Sequence, residues 1–134
     1  MKEDIERPKV ENVGIAIAKQ RAKDNQWEWN AYIFNLRDEK LENVLVTSRG
    51  YGQLSGEKKN TTTLRHFIEE VQPLDCEKIE PVMPGVFELS NEYWVSFYIE
   101  KVVYDKKFVF VNGSITEENM IDLPFLDCRG VLIR

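Results

Sequence analysis

The chain has 134 residues, 43% hydrophobic and 31% charged, long enough to bury one core without disulfide or metal staples. Eighteen Lys and Arg against 23 Asp and Glu give a net charge of −5 with no basic block, which disfavours a nucleic-acid partner, because that affinity rests on clustered cations. The opening MKEDIERPKV lacks a signal-peptide core and no run approaches the roughly 18 apolar residues of a membrane span, so the expectation is a single cytoplasmic domain over 1–134, off the membrane.

After the charged lead-in, Val10 to Lys19 alternates, with Val13, Ile15 and Ile17 on one face and Gly14, Ala16 and Ala18 on the other. That pattern predicts a strand approached closely on its small-residue side. Trp27 to Leu36 predicts a second strand, apolar on both faces in its second half as a central strand is. Arg37-Asp38-Glu39-Lys40 has the length of a hairpin loop, and Glu42 to Ser48 returns through Val44, Leu45 and Val46. The Gly-rich stretch Gly50 to Lys59 reads as an exposed loop.

One amphipathic helix is predicted next. Leu64, Phe67, Ile68 and Val71 fall at i, i+3, i+4 and i+7, Asn60 or one of Thr61, Thr62 and Thr63 can cap the start, and Pro73 marks the end. Glu77 to Met83 reads as an edge strand because it carries Pro81, and Val86 to Leu89 resumes it after Pro84-Gly85. Glu92 to Asn112 is the densest run of β-branched and aromatic residues and predicts a long hairpin. Its turn falls either at Glu100-Lys101 or at Tyr104-Asp105, and in both registers Phe97, Ile99 and Phe108 or Phe110 supply core. Ser114 to Glu117 has capping-box spacing for one helical turn, and Gly130 to Arg134 reads as a last strand. The expected fold is mostly β, a β-sandwich or bent antiparallel sheet of seven or eight strands, with one amphipathic helix.

Residues able to carry chemistry are sparse. His66 is the lone histidine and the two cysteines, Cys76 and Cys128, are far apart in sequence, so no metal site and no cofactor are expected. On the predicted helix, His66 would meet Glu70 at i+4 as a surface salt link. Each thiol follows a Leu-Asp pair, and two reduced, half-buried cysteines are the reading for an intracellular chain. The strand aromatics Trp27, Trp29, Tyr93, Trp94 and Tyr98 are assigned to the core, and Tyr51 to the surface. A ligand-binding candidate is the Gly-rich loop, where Arg49, Tyr51, Lys58 and Lys59 precede the predicted helix and its free N–H groups.

With NEYWVSFYIEKVVYDKKFVFV and NVLVTSRGYGQLSGEKKNTTTLRHF, the chain resembles a family of small uncharacterised proteins of Bacteroidetes-type bacteria over nearly its whole length. Some members carry labels taken from phosphoribosylpyrophosphate synthetase or the phenylalanine tRNA ligase, whose motifs no stretch here matches. The resemblance therefore implies no activity and no catalytic residue. The expected function is a non-enzymatic module that binds a protein partner or forms a homo-oligomer. The alternative is a small-molecule or phosphate-binding protein, or an enzyme, using the loop before the helix.

Overall fold

A computed structural model describes residues 9–134; the charged lead-in of residues 1–8 lies outside them. The described chain is mostly β, with strands β1 (Val13–Arg21), β2 (Trp27–Asn35), β3 (Leu41–Leu54), β4 (Glu57–Asn60), β5 (Leu64–Val71), β6 (Asp75–Val82), β7 (Ser90–Ile99), β8 (Val102–Phe110), β9 (Ile121–Asp122) and β10 (Arg129–Ile133). They form two antiparallel sheets. One runs β6-β2-β1-β10-β9; in the other, β3 pairs β7 and β8 follows, while β4 and β5 share the opposite edge of β3. None of the helices among the described residues is long and apolar enough to cross a membrane.

Alternation sorts each strand into two faces. In β1, Val13, Ile15 and Ile17 enter the main core, where they meet Val44, Val46, Val95, Phe97, Phe108 and Phe110 of the second sheet. On its other face Ala16 and Ala18 join Phe34 and Leu123 in a second, smaller cluster. Close approach there is built into the sequence: a Cβ on Gly130 would lie 2.4 Å from the Ile17 carbonyl oxygen and 2.8 Å from Leu123 Cδ1. Phe125 stacks on Phe34 from outside, centroids 6.1 Å apart. Asn35, fully buried at the end of β2, donates to the carbonyls of Glu39, Val71 and Gln72 at 2.8, 3.2 and 3.1 Å. Arg37 to Lys40 is therefore not the expected hairpin loop: β2 and β3 lie in different sheets, and one amide ties their connection to the turn from β5 to β6, the next crossing between the sheets.

The predicted helix is absent. Leu64–Val71 is β5, antiparallel to β3 in the register Leu45↔Phe67 and Val46↔His66. The loop before it is strand too: β3 runs on to Leu54, turns at Ser55-Gly56 with both φ positive (55° and 81°), and returns as β4. That is the backbone of a two-residue hairpin turn, for which Gly56 is suited. At the junction of β4 and β5 Thr61 stands in for a ladder residue, its N–H donating to the Gly50 carbonyl at 2.8 Å and its Oγ1 accepting from the Gly50 N–H at 2.7 Å. With β3 as a template, the segment 57–71 satisfies its backbone as one broken return strand. A four-residue apolar stripe does not outweigh that.

Two smaller expectations are also corrected. Val86 to Leu89 is not a resumed strand but part of a 3-10 turn, Pro84–Glu88, with Pro84 at its start and the Asn91 amide donating to the Val86 and Leu89 carbonyls at 2.8 and 3.1 Å. The 3-10 turn Glu117–Asn119 follows Thr116 without a side-chain cap, so no capping box forms at Ser114. The long hairpin adopts the Glu100-Lys101 turn, pairing Ile99 with Val102 and Phe97 with Tyr104, whose rings stack at 5.8 Å. Phe97, Ile99, Phe108 and Phe110 are all buried.

Candidate functional site

A buried polar constellation centres on Glu80. Pro81 keeps β6 on the sheet edge, and beside it the β2–β6 register slips between Ala31 and Tyr32, so that Ala31 faces Glu80 while Tyr32 faces Lys78. This bulge turns both Ile79 and Glu80 inward, where each is at least nine-tenths buried. Three strands of the opposite sheet meet the carboxylate. Ser48 Oγ of β3 donates to Oε1 at 3.0 Å, the Tyr93 hydroxyl of β7 donates to Oε2 at 3.2 Å, and His66 Nε2 of β5 stands 2.7 Å from Oε1. Against an ionised carboxylate that nitrogen is the protonated one. Burial first, and then the charge of Glu80, push the Tyr93 phenol far above its ordinary value, so it remains a donor.

His66 is therefore not a surface partner of Glu70. In strand geometry it points inward with Ile68, and its partner lies on the other sheet. The signal available in the sequence was Pro81: a proline inside a strand marks an edge or a bulge, and a bulge re-aims the residue beside it. Next to the cluster a cavity of about 220 Å3 is lined by Ser48, Gly50, Glu80, Val86, Asn91 and Tyr93, among others.

Arg49, Tyr51, Lys58 and Lys59 come together on the β3–β4 hairpin, around a separate hollow of about 320 Å3. The helix N-terminus invoked for them does not exist, since β5 follows. Arg49 Nε and Nη2 donate to Glu92 at 3.2 and 3.4 Å, its guanidinium lies 4.8 Å above the Tyr51 ring, and Lys59 stands 3.7 Å from Glu57. The Arg49 charge is thus directed at a carboxylate within the same sheet.

The outer face of the β3–β7 sheet is unusually apolar. Phe67 is 63% exposed, Val103 53%, Trp94 48%, Leu45 42% and Tyr98 41%. The register makes them neighbours: Leu45 pairs with Phe67 on one side and Ser96 on the other, Trp94 and Tyr98 flank Ser96, and Tyr98 pairs with Val103. The expectation that Trp94 and Tyr98 belong to the core is therefore reversed, as it is for Trp27, 54% exposed under the Lys19 and Arg21 cations. Tyr51, expected at the surface, is half-buried. Arg65 and Glu69, both exposed, bracket Phe67 on β5.

Cys76 and Cys128 are free thiols, both half-buried against the outer cluster of Ala16, Ala18, Phe34 and Leu123. Burial, then the nearby Asp75 and Glu77, push Cys76 up to about 11; burial raises Cys128 as well. Neither is a poised nucleophile, because the thiolate is the reactive form. No group of three or more His, Cys, Asp or Glu converges among the described residues as a metal site would need. Compared with known proteins, the chain matches no family model, no curated protein and no solved structure, so the resemblance in its sequence adds no assignment.

Proposed function

We propose that the protein is a self-associating interaction module, in which two copies pair through the outer face of the β3–β7 sheet. The observation that carries this reading is the run of exposed Phe67, Leu45, Trp94, Tyr98 and Val103 on one sheet face, a kind of patch that marks an interaction surface in soluble proteins. Trp, Tyr and Phe are also the residues that dominate interface energetics.

A second copy is the occupant because the face is complementary to itself. Arg65, Thr47 and Trp94 lie at one level along the strands, and Phe67, Leu45 and Ser96 at the next. One step further Tyr98 is level with Glu42 and Glu70, beside Glu69. A two-fold axis lying between the faces and running across the strands sets Arg65 over Glu69 of the other copy, Trp94 over Tyr98, and Phe67 and Leu45 over their own equivalents. A two-fold along the strands instead sets Arg65 over Lys107, which repels. The first arrangement is an isologous interface with an apolar centre and opposite charges at its β5 edge, while Asp105, level with Ser96 on β8, meets its own equivalent at the other.

Sedimentation equilibrium over a wide concentration range tests it. The mass should rise towards twice the 15.7 kDa of one chain, and Trp94→Ala should return it to that of one chain. A native protein that stays at one-chain mass up to high concentration would contradict the reading.

A further inference from the structure

We infer that the cavity beside Glu80 is a binding site for a small ligand carrying a protonated amine. It is separate from the outer face, because none of Phe67, Leu45, Trp94, Tyr98 and Val103 lines it.

The carboxylate has room for one more partner. An ionised carboxylate offers about four lone-pair sites; Ser48 and His66 occupy Oε1, Tyr93 occupies one position on Oε2, and Oε2 keeps the other. Glu80 lines the cavity, with its side chain only 10% exposed. A charge so removed from water is costly unless every acceptor position is used. The sequence has nonetheless bent β6 with a bulge to bring it there.

Most hydroxyl donors at the cavity are already engaged: Ser48 and Tyr93 donate to Glu80 and Thr61 Oγ1 donates to the Thr62 carbonyl. Asn91 spends its amide nitrogen on the Val86 and Leu89 carbonyls, and its Oδ1 stands at the wall, 3.2 Å from where a Cβ on Gly50 would be. Leu64, Val82, Met83 and Val86 form the apolar part. The one cation at the rim, Arg49, is held by Glu92. An anionic acceptor, an amide oxygen and an apolar wall select a cationic donor on a short apolar body. At about 220 Å3 the space lies below the roughly 300–1,000 Å3 of drug-sized sites, so the ligand is small.

The test is titration of the native protein at pH 7 with n-butylamine, n-butanol and butyrate, read by amide chemical shifts. Butylamine should saturate, on the order of millimolar for so small a probe, and shift Gly50, Asn91 and Tyr93, whereas butanol and butyrate should not. Glu80→Gln, which keeps shape and removes charge, and Val86→Trp, which fills the mouth and leaves the Glu80 cluster in place, should each weaken butylamine about tenfold or more. Failure of butylamine to saturate, equal binding of butanol or butyrate, or undiminished affinity in the folded variants would each overturn the inference. Should Glu80→Gln not fold, Val86→Trp decides alone.

Discussion

Phe67→Ala separates two accounts of the same residue. In a helix packed by the stripe Leu64, Phe67, Ile68 and Val71, removing Phe67 would cost the roughly 3–5 kcal/mol of a core phenylalanine. In β5 the residue is 63% exposed, so folding covers only the remaining third or so of its surface. Full burial of such a side chain is worth about 1.5–3 kcal/mol, and that fraction amounts to about 0.5–1 kcal/mol of monomer stability. The exposed part is what pairing would cover. By symmetry it counts twice per dimer, about 2–4 kcal/mol, which raises the dimer Kd between roughly 30-fold and several hundred-fold. Urea unfolding at a concentration well below the native dimer Kd reads the first quantity, and sedimentation velocity reads the second. A monomer destabilised by about 3 kcal/mol or more, or a dimer that holds its affinity, would refute the reasoning.

Three further outcomes follow from local chemistry. Glu100 and Lys101 both sit at positive φ, 49° and 73°, where non-glycine residues are strained, so Glu100→Asn with Lys101→Gly should raise stability by about 1–2 kcal/mol in denaturant unfolding; no gain would speak against this turn. Asn35→Ala leaves the Glu39, Val71 and Gln72 carbonyls without their shared donor and should cost about 2–3 kcal/mol in the same assay, with a cost below about 0.5 kcal/mol arguing against the bridge. Cys76 should alkylate with iodoacetamide roughly 100-fold more slowly at pH 7 than an ordinary thiol, because burial holds it up to about 11. The sign for stability follows: the unfolded thiol ionises first, so this contribution is intact below the ordinary thiol value and is lost as pH rises from there towards about 11. Fast alkylation at pH 7 would contradict the buried placement.

The sheet-forming segments were legible where hydrophobic alternation was long. Val13, Ile15 and Ile17 against Gly14, Ala16 and Ala18 announced both faces of β1, and the Glu92 to Asn112 run announced its hairpin. Leu64 to Val71 was not legible, because its four apolar residues share one helical stripe and divide two and two between strand faces; the strand is imposed by pairing with the edge of β3, which local periodicity does not report. The site failed for a related reason. Glu80 reaches the core only through a bulge, and its partners Ser48, His66 and Tyr93 come from three strands that only the tertiary fold brings together. Burial statistics place aromatics such as Trp94 and Tyr98 inward because they ignore that one face of an antiparallel sheet looks outward.

The pairing of two copies is tested most directly by exchanging charges around Phe67. Arg65→Glu alone sets like charges against each other at two symmetry-related places and should weaken the dimer by about tenfold or more. Adding Glu69→Arg to the same chain restores opposite charges across the two-fold. Sedimentation equilibrium should then show the dimer weakened in the single variant and recovered in the double variant; a double variant no tighter than the single one would contradict the proposed face and its axis.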